Sequence, residues 1–315
     1  MNILGFDIGG TKSCVLLAKT DGENIEFLKR IQIATKGSWK EVVDKLCDEG
    51  EKSLKEYGIT EFCAGISCGG PLDSEKGIIQ SPPNLKGWDD VHICEYINKR
   101  LGCEVRLKND ADACALAEWK YGAGKGCKNM IFMTFGTGLG AGLILNGKLY
   151  SGTSGNAGEV GHIRLEEDGP IGYGKRGSFE GFCSGGGIRQ IAIKKAEERL
   201  KKGLKVSYMH GNLEDITTKD VSLACKEGEK DALEVMAVSG HYLGVGLSIV
   251  IDILNPEKIV IGSVFARAGE FLREEMQNVL DREALSQALK VCSVVPAMLG
   301  EKIGDYGAVV AALDL

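Results

Sequence analysis

The sequence predicts a mixed α/β protein made of two similar halves, each with a mixed sheet flanked by helices. Its 315 residues exceed the size that one hydrophobic core usually serves, which favours two domains. An order of strand, glycine-rich turn, strand, tight turn and strand opens the chain and returns about 130 residues later, which is typical of a duplicated unit. Beyond each copy, strands and helices alternate.

The first half begins with two short apolar runs, ILGF and CVLLA, separated by the turn DIGGTKS. Asp21-Gly22 turns the chain toward a third run, IEFLKRI, which completes a three-stranded meander. Apolar residues at helical spacing predict a helix over 39–57 that stops at Gly58. EFCAGIS then predicts a buried strand, DDVHICEYINKRLG a helix, EVRLKN a strand, and DADACALAEWKYG a helix with acidic charge in its first turn.

The second half repeats this opening with MIFMTF, the turn GTGLG, AGLIL, a turn at Asn146-Gly147, and KLYSG. LGVGLSIVIDIL predicts a helix that Asn255-Pro256 breaks. The strand KIVIGS, the helix AGEFLREEMQNVL, the strand VCSVVPAM and the closing helix GDYGAVVAAL follow. Each half therefore presents one glycine-rich turn after its first strand.

The composition is that of an ordinary globular protein, with 43% hydrophobic and 26% charged residues and a formal net charge of -6. The negative balance argues against nucleic acid or an anionic membrane as a partner. The 11 cysteines are scattered without a CxxC pair, which indicates buried thiols in a reducing cytoplasm. The N-terminus shows no secretion signal, and the apolar stretch 249–254 is too short to span a bilayer. We expect a cytoplasmic protein.

The segment FGTGLGAG, residues 135–142, holds four glycines directly after a predicted strand. Glycine permits positive φ, and it also lets a ligand such as phosphate approach the backbone closely. The spacing of Gly136, Gly138 and Gly140 misses GxGxxG, and a strand follows in place of a helix, which argues against a dinucleotide site. The chain has no Walker loop, although GAGKG at 122–126 resembles one superficially.

Two glycine turns at matching positions favour a phosphate clamp, although each turn alone is typical of a plain hairpin. In such a clamp, backbone N–H groups and the hydroxyls of Thr11 and Thr137 hold a triphosphate between the two domains. Asp7, at the end of the first strand, points a carboxylate toward Mg²⁺ or its waters. We therefore expect ATP and Mg²⁺ as cofactors.

A rival interpretation is a serine hydrolase, because GISCG at 65–69 matches the GxSxG nucleophile elbow and follows a strand. An elbow leads directly into a helix, however. Here Gly70, Pro71 and LDSEKG form a turn-rich loop, so the hydrolase is the less favoured alternative.

The motifs together resemble the ROK family (repressors, open reading frames and kinases) nearly end to end. GFDIGGTK and FGTGLGAG look like its two phosphate motifs, GGPLD and SPPNLKGW like its sugar-cleft segment, and KNDADACALAEW like its catalytic segment. NAGEVGH and GSFEGFCSGG are similar to the sugar-contact segment, and ILNPEKIVIGS to the adenosine-side strand. The resemblance implies the actin and hexokinase-like ATPase fold, with two duplicated ribonuclease-H-like domains and a cleft between them. Residues 1–118 with a helix at about 300–315 would form the smaller domain, and 119–299 the larger.

The resemblance also implies the site. An alcohol is a poor nucleophile near neutral pH, so a carboxylate must accept its proton as the bond to phosphorus forms. Asp110, where a strand meets a helix, is the candidate base, with a helix N-cap as its structural alternative. The expected sugar-binding residues are Gly70, Asn84, Asn109, Asp110, Glu159, His162 and Glu180. The expected nucleotide-binding residues are Asp7, Gly9, Gly10, Thr11, Lys12, Gly136, Thr137, Gly138, Gly140 and Gly262.

Two departures from the family pattern stand out. The family usually builds a zinc site from the equivalent of His162 and three cysteines, but Ile171, Tyr173 and Ser178 occupy the cysteine positions here. One remaining ligand cannot hold structural zinc, so we expect a zinc-free loop stabilised by packing of Tyr173 and Phe179. The second departure is Ser263, where a further glycine is common.

The expected activity is phosphorylation of a hexose, with glucose at its 6-hydroxyl as the first choice. Fructose, mannose, allose, N-acetylmannosamine and N-acetylglucosamine remain open, because one or two pocket side chains decide among them. A non-catalytic sugar sensor is a more remote alternative. Repressors of the family carry a DNA-binding segment before the kinase fold, whereas this sequence starts on the first strand, so we expect no nucleic-acid partner. A homodimer is a further expectation, since dimers are common in the family.

Overall fold

The computed structural model describes residues 1–313, and it has the predicted mixed α/β architecture. The strands are β1 (Asn2–Ile8), β2 (Lys12–Thr20), β3 (Ile25–Ala34), β4 (Cys63–Cys68), β5 (Leu72–Asp73), β6 (Ile78–Ile79), β7 (Val105–Asn109), β8 (Met130–Met133), β9 (Ala141–Leu145), β10 (Lys148–Tyr150), β11 (Ile171–Gly172), β12 (Lys175–Arg176), β13 (Lys258–Ile261) and β14 (Ser293–Pro296). The helices are α1 (Trp39–Glu56), α2 (Ile93–Leu101), α3 (Asp110–Tyr121), α4 (Phe179–Phe182), α5 (Gly185–Lys201), α6 (Thr218–Lys226), α7 (Lys230–Leu254), α8 (Val264–Ala268), α9 (Arg273–Glu283), α10 (Ser286–Leu289) and α11 (Ile303–Val310).

Two five-stranded sheets repeat one arrangement, which confirms the predicted duplication. Their strand orders are β3-β2-β1-β4-β7 and β10-β9-β8-β13-β14. In the first, β1 to β3 form an antiparallel meander, and β4 and β7 add in parallel to β1. In the second, β9 and β10 form the antiparallel hairpin, and β8, β13 and β14 run in parallel.

The described chain divides into two compact units. The first comprises Met1–Lys128, Gly142–Ala157 and the described residues from Met298 onward, and the second comprises Asn129–Ala141 and Gly158–Ala297. The domain bounds expected from the sequence, 1–118 with about 300–315 and 119–299, stay a prediction, and the last two residues of that closing segment lie outside the described residues.

The first unit is held together by helices that pack closely on its sheet. Ser38 begins α1 with a capping box to Glu41. Gly102 ends α2, as the sequence predicted, and it does so in the left-handed conformation. α11 packs on β1 and β4, and a Cβ at Gly65 would collide with the Ala308 carbonyl of that helix. The glycine therefore lets α11 lie against the sheet, directly beneath the end of β1.

α7 is the central helix of the second unit and is longer than the sequence indicated. It begins at Lys230, and not near residue 243, and Asn255 ends it in the left-handed conformation. Among residues 1–313 it is the one helix long and apolar enough to cross a membrane by length and composition, and half of its most apolar window is buried inside the protein. A Cβ at Gly240 would lie 2.6 Å from the Leu272 carbonyl oxygen, so α7 packs tightly against its neighbours as a core helix.

Candidate functional site

The first glycine turn, residues 9–12, joins β1 to β2 and is fixed by hydrogen bonds. The Gly9 N–H donates to the Lys12 carbonyl at 3.2 Å. From the end of β3, the Thr35 hydroxyl donates to the Gly9 carbonyl at 2.7 Å, and the Thr35 N–H donates to the Thr11 carbonyl at 3.0 Å. These bonds use the Gly9 N–H and the carbonyls of Gly9, Thr11 and Lys12, but not the N–H groups of Gly10 and Thr11.

Those N–H groups are the donors that a phosphate needs. Within residues 1–313, the N–H groups of Gly10 and Thr11 and the Thr11 hydroxyl have no hydrogen-bond acceptor, and all of them are accessible to solvent. Lys12, next in the chain, is exposed and carries a positive charge. Adjacent unpaired N–H donors beside a cation are suited to an anion.

Gly10 is a glycine because Asn84 lies against it. A Cβ at Gly10 would lie 2.5 Å from the Asn84 carbonyl oxygen and 2.9 Å from the Asn84 Cβ. The sugar-segment residue and the phosphate turn, 74 positions apart in sequence, are thus in direct contact within the first unit. The side chain of Asn84 is exposed.

Asp7 ends β1 in a cluster of charges. Its pKa is raised to about 6 by burial, with further increases from Asp305 and Asp110 and a partial opposing effect from Arg30. Asp305 in turn accepts two hydrogen bonds from Arg30 Nε, at 2.8 and 3.0 Å. The carboxylates of Asp7 and Asp110 are therefore close enough to repel each other, and a bound cation would reduce that repulsion.

Asp110 is the first residue of α3, at the carboxyl end of β7. The N-cap of this helix is Asn109, whose Oδ1 accepts from the Ala111 N–H at 2.9 Å, while Asp110 Oδ1 accepts from the same N–H at 2.8 Å. Desolvation by the surrounding protein raises the pKa of Asp110, although the residue keeps an exposed surface; the bond from Ala111 acts in the opposite direction. A raised pKa suits a general base.

Gly69 and Gly70 lie beside the side chains of Asn109 and Asp110. A Cβ at Gly70 would lie 3.1 Å from Asn109 Nδ2, and one at Gly69 would lie 3.7 Å from Asp110 Oδ2. The GISCG segment does not form a nucleophile elbow: Ser67 lies inside β4 and is 1% exposed. The serine-hydrolase alternative has no accessible nucleophile at this position.

None of the glycines in the second glycine turn, residues 136–140, has positive φ. Gly138 has a close neighbour, because a Cβ there would lie 2.6 Å from Glu180 Oε2. The Gly136 N–H donates to the Gly138 carbonyl at 3.0 Å, and the Gly140 N–H donates to Thr134 Oγ1 at 2.9 Å. Within residues 1–313, the N–H groups of Thr137 and Gly138 have no acceptor. This turn therefore presents two adjacent donors, as the first does.

Glu180 closes the second turn. Its Oε2 accepts the Leu139 N–H at 2.9 Å, and a Cβ at Gly138 would lie 2.6 Å from the same oxygen. Ser178 caps α4 by accepting from the Gly181 N–H at 3.1 Å, which fixes the helix that carries Glu180. The expected sugar-binding acid thus touches the expected phosphate turn, leaving Oε1 for other contacts.

Glu159 and His162 lie on an exposed 3₁₀ turn in the same unit. Their segment is held to the second turn, because the Ala141 N–H donates to the Gly158 carbonyl at 3.0 Å and a Cβ at Gly161 would collide with the Leu139 carbonyl. The His162 ring makes an edge contact with Tyr173, with centroids 6.3 Å apart. The structure therefore brings His162, Glu180 and the second turn together.

The loop that the family pattern marks for zinc is an ordinary hairpin here, formed by β11 and β12. Phe179 is fully buried, as expected, but Tyr173 is 69% exposed. The expectation that Tyr173 packs to stabilise the loop was wrong, because the hairpin turn places it at φ 42° on the surface. No group of three His, Cys, Asp or Glu side chains among residues 1–313 is placed to hold a metal ion.

Gly262 follows β13, and its N–H donates to the Met133 carbonyl at 2.9 Å. It is buried, and a Cβ there would lie 3.3 Å from the Phe132 ring. The structure therefore places it beside the strand that leads into the second turn.

Sequence reasoning missed two features of these sites. Asp305 and Arg30, which set the charge around Asp7, are separated by 275 positions. The bond from Leu139 to Glu180 spans 41 positions, and it involves a backbone group that no side-chain pattern marks. One sequence signal could have indicated the charge cluster: Asp305 is an acid in an otherwise apolar closing helix.

Comparisons with known proteins identify the family of this chain. The ROK family profile matches residues 3–314, and the chain belongs to the ROK family. It is 32% identical over 310 residues to a glucokinase of Halalkalibacterium halodurans, covering 96% of this chain and 92% of that protein. It is 30% identical over 311 residues to a glucokinase of Thermotoga maritima, covering 98% and 96%.

Among solved structures, a ROK family glucokinase from Streptomyces griseus, in complex with glucose and AMPPNP, superposes with a TM-score of 0.80. It is 27% identical in sequence, and the match covers 99% of both chains. The fold is therefore the actin and hexokinase-like ATPase fold that the sequence predicted.

Proposed function

We propose that the protein is an ATP-dependent sugar kinase that phosphorylates glucose at the 6-hydroxyl. The observation that carries the proposal is Asp110: a carboxylate with a raised pKa and an accessible surface, at the end of β7, close to Asp7 in the same unit as the first phosphate turn. The two glucokinase relatives and the glucokinase structure support glucose as the substrate.

Asp110 acts as the general base. Its ionised form accepts the proton of the sugar hydroxyl as the oxygen attacks phosphorus, so that an alcohol becomes a competent nucleophile only at that moment. The Ala111 N–H, bound to Oδ1, holds the carboxylate in one orientation and leaves Oδ2 toward Gly69. Asn109 is fixed by its capping bond and offers its amide N–H groups to a sugar hydroxyl.

The residues present fit ATP. Each glycine turn offers two adjacent N–H donors without a protein acceptor in residues 1–313, and the Thr11 and Thr137 hydroxyls with the Lys12 cation add charge-assisted contacts. We expect Gly262, which is bonded to the strand that leads into the second turn, to contact the nucleotide. Mg²⁺ supplies charge neutralisation of the phosphates when it is bound. Asp7 is the carboxylate suited to hold it, directly or through water, and no residue of the described chain is assigned to zinc.

We expect polar groups within each unit to contribute to sugar recognition. Gly70, Asn84, Asn109 and Asp110 belong to the first unit, and Glu159, His162 and Glu180 to the second. Amides and carboxylates can engage neighbouring hydroxyls, and a sugar that lacks one of those hydroxyls leaves a polar group unpaired. Fructose, mannose, allose and the N-acetylated hexosamines stay as alternatives, since the same groups suit any polyol.

The test is the substitution Asp110→Asn, measured by ADP release across these sugars with Mg·ATP. We expect kcat for glucose to fall by about 10²- to 10⁴-fold, while glucose binding, measured by calorimetry, stays within about twofold of the wild type. Asp21→Asn is the matched control, because Asp21 is exposed and accepts hydrogen bonds only from its neighbours Glu23 and Asn24 in a surface turn. Full activity in Asp110→Asn, or no ADP release from the wild type with any of these sugars, would reject the proposal.

A further inference from the structure

Ser263 has an unusual backbone for a residue with a side chain. It lies between β13 and α8 with φ 54° and ψ -113°. Side chains are strained in this region, whereas glycine adopts it freely. Strain of this kind persists where the surrounding structure imposes it, and it concentrates at functional sites.

The neighbours of Ser263 impose the conformation. On one side the Gly262 N–H donates to the Met133 carbonyl at 2.9 Å, and on the other the Val264 N–H donates to the Phe135 carbonyl at 2.8 Å. Both acceptors belong to the segment that leads into the second glycine turn. The peptide of Ser263 is thus clamped to that turn from both sides.

The strained backbone directs the hydroxyl toward the same turn. Ser263 Oγ lies 3.5 Å from the position that a Cβ on Gly136 would occupy. It accepts a hydrogen bond from Arg267 Nη2 at 3.3 Å. Because the guanidinium can only donate, the hydroxyl hydrogen is left over, and it has no acceptor within residues 1–313.

Other donors surround this hydroxyl. The N–H groups of Thr137 and Gly138 lack acceptors in the described part of the chain. α5, which is 17 residues long, begins beside the turn, with the Gly185 N–H donating to the Gly136 carbonyl at 2.7 Å. The Arg267 cation adds positive charge. The Glu180 carboxylate beside Gly138 already accepts the Leu139 N–H, and the Gly136 carbonyl already accepts the Gly185 N–H. The unpaired N–H groups of Thr137 and Gly138, the Ser263 hydroxyl and the Arg267 charge together suit an anion.

We propose that Ser263 is a nucleotide-binding residue whose hydroxyl, oriented by Arg267, donates to a phosphate oxygen of ATP held at the second glycine turn. The inference rests on the proposed function for the position of the nucleotide. It goes further because it assigns a phosphate contact to the Ser263 side chain, which the strained backbone directs toward the turn. The glycine turn alone does not supply this contact.

The experiment measures binding of Mg·AMPPNP by isothermal titration calorimetry without sugar, together with the melting temperature of each variant. Ser263→Ala keeps the strained backbone and removes the hydroxyl, so we expect the Kd to rise about tenfold with an unchanged melting temperature. Ser263→Gly also removes the hydroxyl but relieves the strain, so we expect the same rise in Kd with a melting temperature higher by about 2–4 °C. Arg267→Gln, which retains an N–H donor without the charge, should raise the Kd by less than the serine variants do.

Asn255→Gly is the matched control, because Asn255 also has positive φ, 42°, at the end of α7. It should alter the melting temperature without changing the Kd for Mg·AMPPNP. If the wild type binds Mg·AMPPNP and Ser263→Ala binds it equally well, the inference fails while the proposed function stands. If the wild type binds no Mg·AMPPNP, both fail.

Discussion

The two glycine turns look alike in sequence, but they are closed in different ways. At the first, Gly10 lies against the backbone of Asn84, and hydroxyl groups fix the turn from behind. At the second, Gly138 lies against the end of a side chain, the Glu180 carboxylate. A backbone contact is rigid, whereas a carboxylate on a flexible stem can move. The comparison teaches that the first turn is preformed and that the second depends on where one acid lies.

The largest effect should come from adding a methyl group to each turn. Gly10→Ala places a Cβ 2.5 Å from the Asn84 carbonyl oxygen, so the turn or the sugar segment must shift. We expect kcat/KM for ATP to fall about 100-fold, as a displacement of about 1 Å does in a positioned site. Gly138→Ala meets only Glu180 Oε2, at 2.6 Å, and should cost about tenfold because the side chain can withdraw.

Gly136→Ala is the steric control for this pair. Its Cβ would meet only Ser263 Oγ, at 3.5 Å, which is ordinary contact, so its melting temperature should match the wild type. Equal losses of kcat/KM in Gly10→Ala and Gly138→Ala would remove the distinction between a rigid and an adjustable turn.

The hairpins and the helices of the first unit were predictable from sequence because their signals are local. Ser38 with Glu41 marks the start of α1, and Gly102 the end of α2. α5 was missed since it begins with three glycines, which are typical of a loop, and only the Ser184 cap reveals the helix. Local sequence signals predicted helices and strands correctly where caps and hydrophobic periodicity agree. They missed a helix where tertiary packing overrides intrinsic propensity.

At the candidate site, the sequence identified candidate residues but not the contacts between them. Asp7 and Asp110 were expected, and the structure brings their carboxylates near each other. The glycines of the second turn were expected to need positive φ or close approach; none has positive φ, and close approach is observed at Gly138. The partner that makes it necessary, Glu180, is 42 positions from Gly138, so no local pattern could reveal it. The functional roles of these residues stay predictions.

The strands that lead into the two turns also differ in charge, and this predicts a pH-dependent stability. β1 ends near Asp7, whose pKa is raised from 3.8 to about 6, whereas β8 ends at the neutral Met133. A raised pKa means that the folded state binds the proton more tightly than the unfolded state does. The stability that the protonated carboxyl contributes is fully present below pH 3.8 and is lost as the pH rises through about 6.

Asp7→Asn should therefore stabilise the protein at pH 8, by about 2 kcal/mol after allowance for partial solvent contact. The gain should shrink on acidification and vanish near pH 4. Urea unfolding between pH 4 and 8 without Mg²⁺ measures it. Asp21→Asn, at an exposed carboxyl whose pKa is lowered by backbone hydrogen bonds, should show no such gain. An Asp7→Asn gain of equal size at pH 4 and pH 8 would contradict the electrostatic explanation.

The smallest effect separates the two contacts of Glu180. Glu180→Gln keeps an oxygen that can accept the Leu139 N–H, so the KM for ATP should stay near that of the wild type. The loss of charge toward the sugar should raise the KM for glucose about tenfold. Glu180→Ala removes the acceptor as well, so the KM for ATP should also rise, by about tenfold. Steady-state kinetics with each substrate varied in turn measure both constants.

Glu198→Ala, at an exposed position on α5, controls for the loss of an acid in the same unit. If Glu180→Ala raises only the KM for glucose, the bond to Leu139 has no part in holding the second turn. If both variants raise the two constants equally, the negative charge, and not the hydrogen bond, maintains the turn. The KM for ATP should rise in Glu180→Ala but not in Glu180→Gln, and only this outcome supports a second turn whose shape depends on a movable side chain. At the first turn, a backbone contact fixes the shape instead.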